Sequence, residues 1–228
     1  MKLLETKKLH YNKYLYKIAI RNQCASFFRT EFQKGVQLSY AKKRIDECHQ
    51  WYDVKHPSID IPWGNKYVNR IPREHYWDAI SIYRHLKNQE GYIVRCELNC
   101  LNIYSNDRNF LIKLNNKLKN SYIEFYEPDP EKVDLLLNDK NVILVNKLPK
   151  YEYKITLGRK KGSASLAEWI DTNPHLAKMG DTAKQECYNQ GYVKGYYFFV
   201  SNKKSLLIAQ MMVGENIQRI DHLVYTDK

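Results

Sequence analysis

Several things are missing from this 228-residue chain, and each absence removes a class of function. No apolar run approaches the ~20 residues that cross a bilayer as a helix, so no membrane partner is expected. The opening MKLLETKKLHYNKY is interrupted by charge too early to form the apolar centre of a secretory signal. The cysteines, Cys24, Cys48, Cys96, Cys100 and Cys187, are odd in number and lack the paired CxxC spacing of a zinc or redox site. Cys96 and Cys100 read as parts of one strand, about 13 Å apart, too far for a disulfide or a shared ion. Reduced thiols in a cytoplasmic protein (host cytoplasm if the source is viral) are the expectation. Glycine is scarce at nine residues, and neither GxxxxGK[ST] nor GxGxxG occurs. HExxH, a GxSxG elbow and paired histidines of the HUH type are absent as well.

The seven histidines are scattered, which leaves no metal or cofactor expected. His75 and Asp78, at i and i+3 on one helix, read as decoration of a solvent-facing side. Acidic residues are in deficit, 25 against 37 Lys and Arg, giving a net charge of +12. A folded chain with that excess is read most simply as one that meets polyanions. Tyrosine is abundant at 19, alongside many Lys and Asn, a composition of A/T-rich codons that points to a phage or bacterial source.

Period changes along the chain give the elements. KYLYKIAIR (13–21) alternates as a strand, with Tyr14, Tyr16, Ile18 and Ile20 on one face and Lys13 and Lys17 on the other. CASFFRTEFQKG follows as a short helix stopped by Gly35, then a helix over 39–53 with Ala41, Ile45, Cys48 and Trp51 as its apolar stripe. Pro57, Pro62, Gly64 and Pro72 argue against regular structure over most of 54–72. A helix starting at Pro72 and ended by Gly91 carries Tyr76, Ile80, Tyr83 and Leu86. Strands are predicted over 92–98, 101–106, 121–128, 141–149, 150–158, 195–202 and 217–225. Helices are predicted over 108–118, 128–139, part of 165–180, and 204–214.

Two blocks recur in the same order. KYLYKI (13–18) matches KYEYKI (150–155), and IYSNDRNFLI (103–112) matches FVSNKKSLLI (199–208). The offsets, 137 and 96 positions, differ by 41, which places extra residues in the first half. The expected fold is α+β, with two ferredoxin-like βαββαβ repeats. The first spans 1–128 with a helical, proline-rich insertion at about 39–90, the stretch 129–148 is a helix–strand connection, and the second repeat spans 149–228. At the level of fold this order resembles the repeat-associated RNA-processing proteins of CRISPR systems. Their glycine-rich C-terminal loop is missing, since 195–228 holds only Gly195 and Gly214.

A sheet covered by helices on one side leaves its other side for Lys13, Lys17, Lys150 and Lys154, where lysines can neutralise phosphates and tyrosines can stack bases. The tyrosines of KYEYKI can equally point into the core. The loop GRKKG (158–162) sets Arg159, Lys160 and Lys161 before a helix whose Ser165 and Glu168 fit a capping box, and with Ser163 it suits an anion. A basic loop present in only one half is the better functional candidate of the pair. The leading expectation is a non-enzymatic protein that binds RNA or single-stranded DNA. One alternative is a virion, assembly or host-factor-binding protein, with an acidic protein or a second copy as partner and Trp51, Trp63 and Trp77 as its docking surface. Another is a metal-independent ribonuclease with His10 or His175 as general base.

Overall fold

A computed structural model describes residues 1–29, 38–53, 55–63 and 67–226, without the side chains of residues 62, 63 and 67–69. The chain is mixed α+β, with two five-stranded mixed sheets and a separate two-stranded one among the described residues. It divides into two compact units, residues 1–6 with 10–133, and residues 7–9 with 134–228.

In the first unit the strands are β1 (Lys2–Glu5), β2 (Tyr16–Arg21), β5 (Tyr92–Glu97), β6 (Cys100–Ser105) and β7 (Tyr122–Glu127), arranged β1-β7-β2-β6-β5. Alternation selects the core face: Ile18, Ile20, Leu101, Ile103 and Phe125 are each fully buried. Against them pack Phe27 and Phe28 of a 3-10 turn (Gln23–Phe28), Tyr76, Ile82 and Leu86 of α2 (Arg73–Leu86), and Leu111 and Leu114 of α3 (Arg108–Asn115). Ala41 and Cys48 of α1 (Leu38–Gln50) complete this core. The helix predicted from Cys24 to Gly35 is therefore a 3-10 turn as far as it is described; Gly35 lies outside the described residues.

Two expectations fail here. The proline-rich stretch forms a hairpin, β3 (Ser58–Trp63) and β4 (Tyr67–Pro72), with Pro62 opposite Val68 and Pro72 opposite Ser58. In a two-stranded sheet both strands are edges, so a proline can sit where its missing N–H has no ladder to serve. Cys96 and Cys100 do not share a strand either: a turn at Leu98 (φ 52°) lies between them, and Cys96 pairs with Leu101 across it. Adjacent hairpin positions of opposite facing keep the two thiols apart, and all five cysteines are free.

In the second unit the strands are β8 (Val142–Val145), β9 (Tyr153–Leu157), β10 (Ala177–Met179), β11 (Tyr197–Val200) and β12 (Ile217–Tyr225), arranged β10-β11-β9-β12-β8. The stretch 129–148 thus supplies α4 (Val133–Asn138) and a strand of this sheet, beyond connecting. Ile155, Leu157, Phe198 and Val200 face Leu166 and Ile170 of α5 (Ala164–Thr172), Ala183 and Cys187 of α6 (Asp181–Tyr188), and Ala209 of α7 (Lys203–Val213). β1, β10 and α6 have no counterpart in the sequence reading, because four-residue, three-residue and half-exposed elements carry almost no periodic signal.

Both sheets share one order. Leaving β1 and β8 aside, the strands of each five-stranded sheet lie fourth-first-third-second in chain order, every neighbour antiparallel. β1 then runs parallel to β7, and β8 parallel to β12. Register also corrects the second repeat block. Tyr16 pairs with Ser105 and Tyr153 with Val200, so Ser105 corresponds to Val200, one residue away from the Ser201 that identity selects. The helix caps agree: Asp107 accepts from Phe110 N and Asn202 from Ser205 N, each two residues beyond its paired strand residue.

Candidate nucleic-acid interface

The face of each sheet turned away from its core carries charge and aromatic rings. On β2 the alternation that buries Ile18 and Ile20 points Lys17, Ala19 and Arg21 the other way. Register sets Tyr126, Glu124 and Tyr122 of β7 beside them on one flank, and Tyr104, Asn102 and Cys100 of β6 on the other. Lys17 Nζ lies 4.1 Å from the centroid of Tyr126, and the Arg21 guanidinium 5.5 Å from that of Tyr122. Lys17 is held below the ordinary lysine value, chiefly by burial, and has no ion-pair partner among the described residues. A cation in that position gains from a neighbouring anion.

The second sheet repeats the theme with other partners. Lys154 of β9 is cross-strand from Phe199 and Asp221, and its Nζ lies 3.9 Å from the centroid of Tyr197. Burial lowers the Lys154 pKa too, Asp221 opposing the shift and Arg219 adding to it. Tyr197 is 46% exposed and meets Phe199 edge-on at 5.5 Å, so this face presents rings as well as cations. Asp221 is fully buried and is held by Lys8 and by Arg219 Nε at 2.9 Å. Tyr153 is buried and Tyr151 half-buried, its hydroxyl donating to Pro174 O, so the KYEYKI tyrosines are structural.

Lys13 and Lys150 precede their strands, each with its Nζ over the ring of the next residue, at 5.2 and 5.4 Å. The GRKKG loop follows β9 and is rigidly pinned. Gly158 N donates to Asn216 O, Lys160 N to Asn216 Oδ1 and Gly162 N to Gly191 O, so those amides are not available to an anion. The Arg159, Lys160 and Lys161 side chains are exposed, with Lys160 paired to Glu215 at 2.6 Å. Ser163, not Ser165, caps α5: its Oγ accepts from Leu166 N at 3.3 Å. A Cβ at Gly162 would lie 2.6 Å from Cys187 Cα and 2.9 Å from Val193 Cγ1. Gly162→Ala is therefore expected to cost about 1–3 kcal/mol, because backbone must move to admit the methyl. A chemical-denaturation midpoint unchanged from the parent would contradict that close approach.

The histidine readings change. Asp78 is buried, not solvent decoration: it accepts from Lys119 N (3.2 Å), Asn120 N (3.1 Å), and Ser121 N and Oγ (2.9 Å each). His75 Nδ1 accepts from Gln23 N at 3.3 Å. His10 lies against Tyr104 and Tyr126, its centroid 5.3 and 6.0 Å from theirs, with Nε2 buried and unpartnered. Burial, with Lys17 adding to it, pushes its pKa down from 6.5 to about 4. Between those values the unfolded chain binds a proton that the folded chain refuses, so acidification from pH 6.5 towards 4 removes stability. His10→Phe is expected to flatten that part of the pH–stability curve relative to the parent; superimposable curves would contradict it. His175 is exposed.

Trp51 and Trp77 are 52% and 45% exposed, while the Trp63 side chain lies outside the described residues. Among the described residues no three His, Cys, Asp or Glu side chains are grouped to hold a metal ion, and no helix is long and apolar enough to cross a membrane. Arg21, Tyr122, Tyr126, Tyr197 and Arg219 were missed as candidates, although a period of two extended from Lys17 would have reached Arg21. No family model, curated protein or solved structure matches this chain.

Proposed function

We propose that this chain is a non-enzymatic nucleic-acid-binding protein, of phage or bacterial origin, that grips RNA or single-stranded DNA on the open faces of two ferredoxin-like repeats. In this reading residues 1–128 and 149–228 are the two repeats, each extended by one parallel strand, and the fourth-first-third-second strand order supports it. The observation that carries the function is a half-buried lysine beside a tyrosine ring at the corresponding first-strand position of both sheets, Lys17 and Lys154. Cations over rings on the sheet face turned away from the core suit a strand whose phosphates are neutralised and whose bases stack. Arg159, Lys160 and Lys161 add cations at the end of β9, and Lys13 and Lys150 at the strand entries. With a net charge of +12 the encounter is electrostatically favoured.

The test is fluorescence anisotropy with labelled single-stranded RNA, single-stranded DNA and duplex at about 50 and about 200 mM salt. Contact with about five phosphates gives a log–log slope near −3.5, hence roughly a 100-fold loss of affinity across that range. The single strands are expected to bind more tightly than the duplex, because only they offer unstacked bases. Absence of binding to either single strand at the lower salt would end this reading.

A further inference from the structure

The open face of the first sheet is not flat. A cavity of about 690 Å³ sits on it, lined by Lys17, Ala19, Arg21, Asn102, Tyr122 and Glu124, with Gln23, His75, Glu97 and Cys100 among its other walls. The depression has a local cause. Ala19 stands between Lys17 and Arg21 on β2, directly opposite Asn102 on β6, and its methyl leaves the centre of the sheet uncovered. In the second sheet the corresponding pair is Thr156 opposite Tyr197, larger side chains at the same place.

Asn102 is the informative residue. It is 3% exposed, yet the contact of its carboxamide is a weak one, Cys100 Sγ to Oδ1 at 3.9 Å. The amide nitrogen has no hydrogen-bond partner among the described residues, and Asn102 is one of the residues that line the cavity. That nitrogen is not among the sealed, unpartnered polar atoms, so it is free to donate to a polar ligand that enters the cavity. Above it the walls sort by chemistry: Lys17 and Arg21 are cationic, Tyr122 is a 50% exposed ring, and Glu97 and Glu124 are acceptors. Both carboxylates have neighbours of their own, Arg95 Nε at 2.7 Å from Glu97 and the Tyr126 hydroxyl at 3.0 Å from Glu124.

We propose that this cavity takes one nucleotide of the bound strand, its base edge on the Asn102 carboxamide, its ring against Tyr122, and its phosphate on Lys17 and Arg21. The proposal rests on the nucleic-acid reading above and names the place where that reading becomes base-selective. The size suits it, since ligand clefts commonly enclose about 300–1,000 Å³. Donor and acceptor groups together on one floor can tell bases apart, which phosphate contacts alone cannot.

The experiment compares the full chain with Asn102→Leu, Tyr122→Ala and Arg21→Ala, using oligo-A, oligo-C and oligo-U of equal length. Asn102→Leu removes the amide donor and acceptor at similar size and adds no charge. It is expected to shrink the affinity spread among the three oligomers while leaving the salt slope unchanged. Tyr122→Ala removes an exposed ring, so folding is not at issue, and a loss of about 5-fold or more is expected for all three. Arg21→Ala is expected to reduce the slope by about 0.7. If the parent binds no oligomer, this inference falls together with the functional reading. If the parent binds and Tyr122→Ala and Arg21→Ala bind as the parent does, the pocket assignment is overturned while the functional reading stands.

Discussion

Tyr197→Ala is expected to weaken binding of single-stranded nucleic acid by about 5- to 150-fold, the loss of roughly 1–3 kcal/mol that goes with removing one stacking ring. The residue is suited to such a test because it is 46% exposed and its neighbours on the open face are Lys154 and Phe199. Removing the ring leaves the core of the second unit, built on Ile155, Leu157, Phe198 and Val200, untouched. Lys154→Ala should act differently. It removes a charge, so its effect grows at low salt and its log–log slope falls by about 0.7. Isothermal titration or anisotropy at two salt concentrations separates the two outcomes. Equal affinities for the parent and Tyr197→Ala would remove the second sheet from the interface.

Asp78→Ala is expected to destabilise the first unit by about 3 kcal/mol, a large share of the 5–15 kcal/mol typical of a whole domain. One buried carboxylate organises three successive backbone N–H groups and a hydroxyl in the turn Lys119–Ser121 that launches β7. Without it, three backbone donors and a hydroxyl lose their shared acceptor, and the entry to the strand carrying Tyr122 and Tyr126 loosens. A urea midpoint lowered at constant m-value is the expected signature. A loss below about 1 kcal/mol would mean that the turn holds itself without the carboxylate.

How much of this was legible beforehand differs from element to element. β2 and β9 were readable because alternation over six and five residues separates Lys17 from Ile18 and Lys154 from Ile155. α1, α3 and α7 were readable for the same reason at a helical period. The β3–β4 hairpin was hidden because proline is a strand breaker only where a ladder must continue, and whether a strand is an edge is a tertiary fact. Sequence identity misaligned Ser105 with Ser201, since side-chain identity carries no hydrogen-bond register. Asp78 was misjudged because a carboxylate bonded to a turn 41 to 43 residues away leaves no local trace. The glycines of GRKKG serve close approach, Gly162 to Cys187 and Gly158 to Asn216, a tertiary role with no local pattern. Asn102 could not be singled out, because its place in the cavity beside Ala19 is set by strand pairing between residues remote in sequence.

The most direct measurement is ultraviolet cross-linking of the full chain to single-stranded RNA and DNA, followed by mass spectrometry of the peptides. Cross-links are expected on β7 at Tyr122 and Tyr126 and on β11 at Tyr197 and Phe199, and they should fade as salt rises. Cross-links confined to helical surfaces such as Trp51 and Trp77, with the strands unmodified, would contradict binding on the open faces.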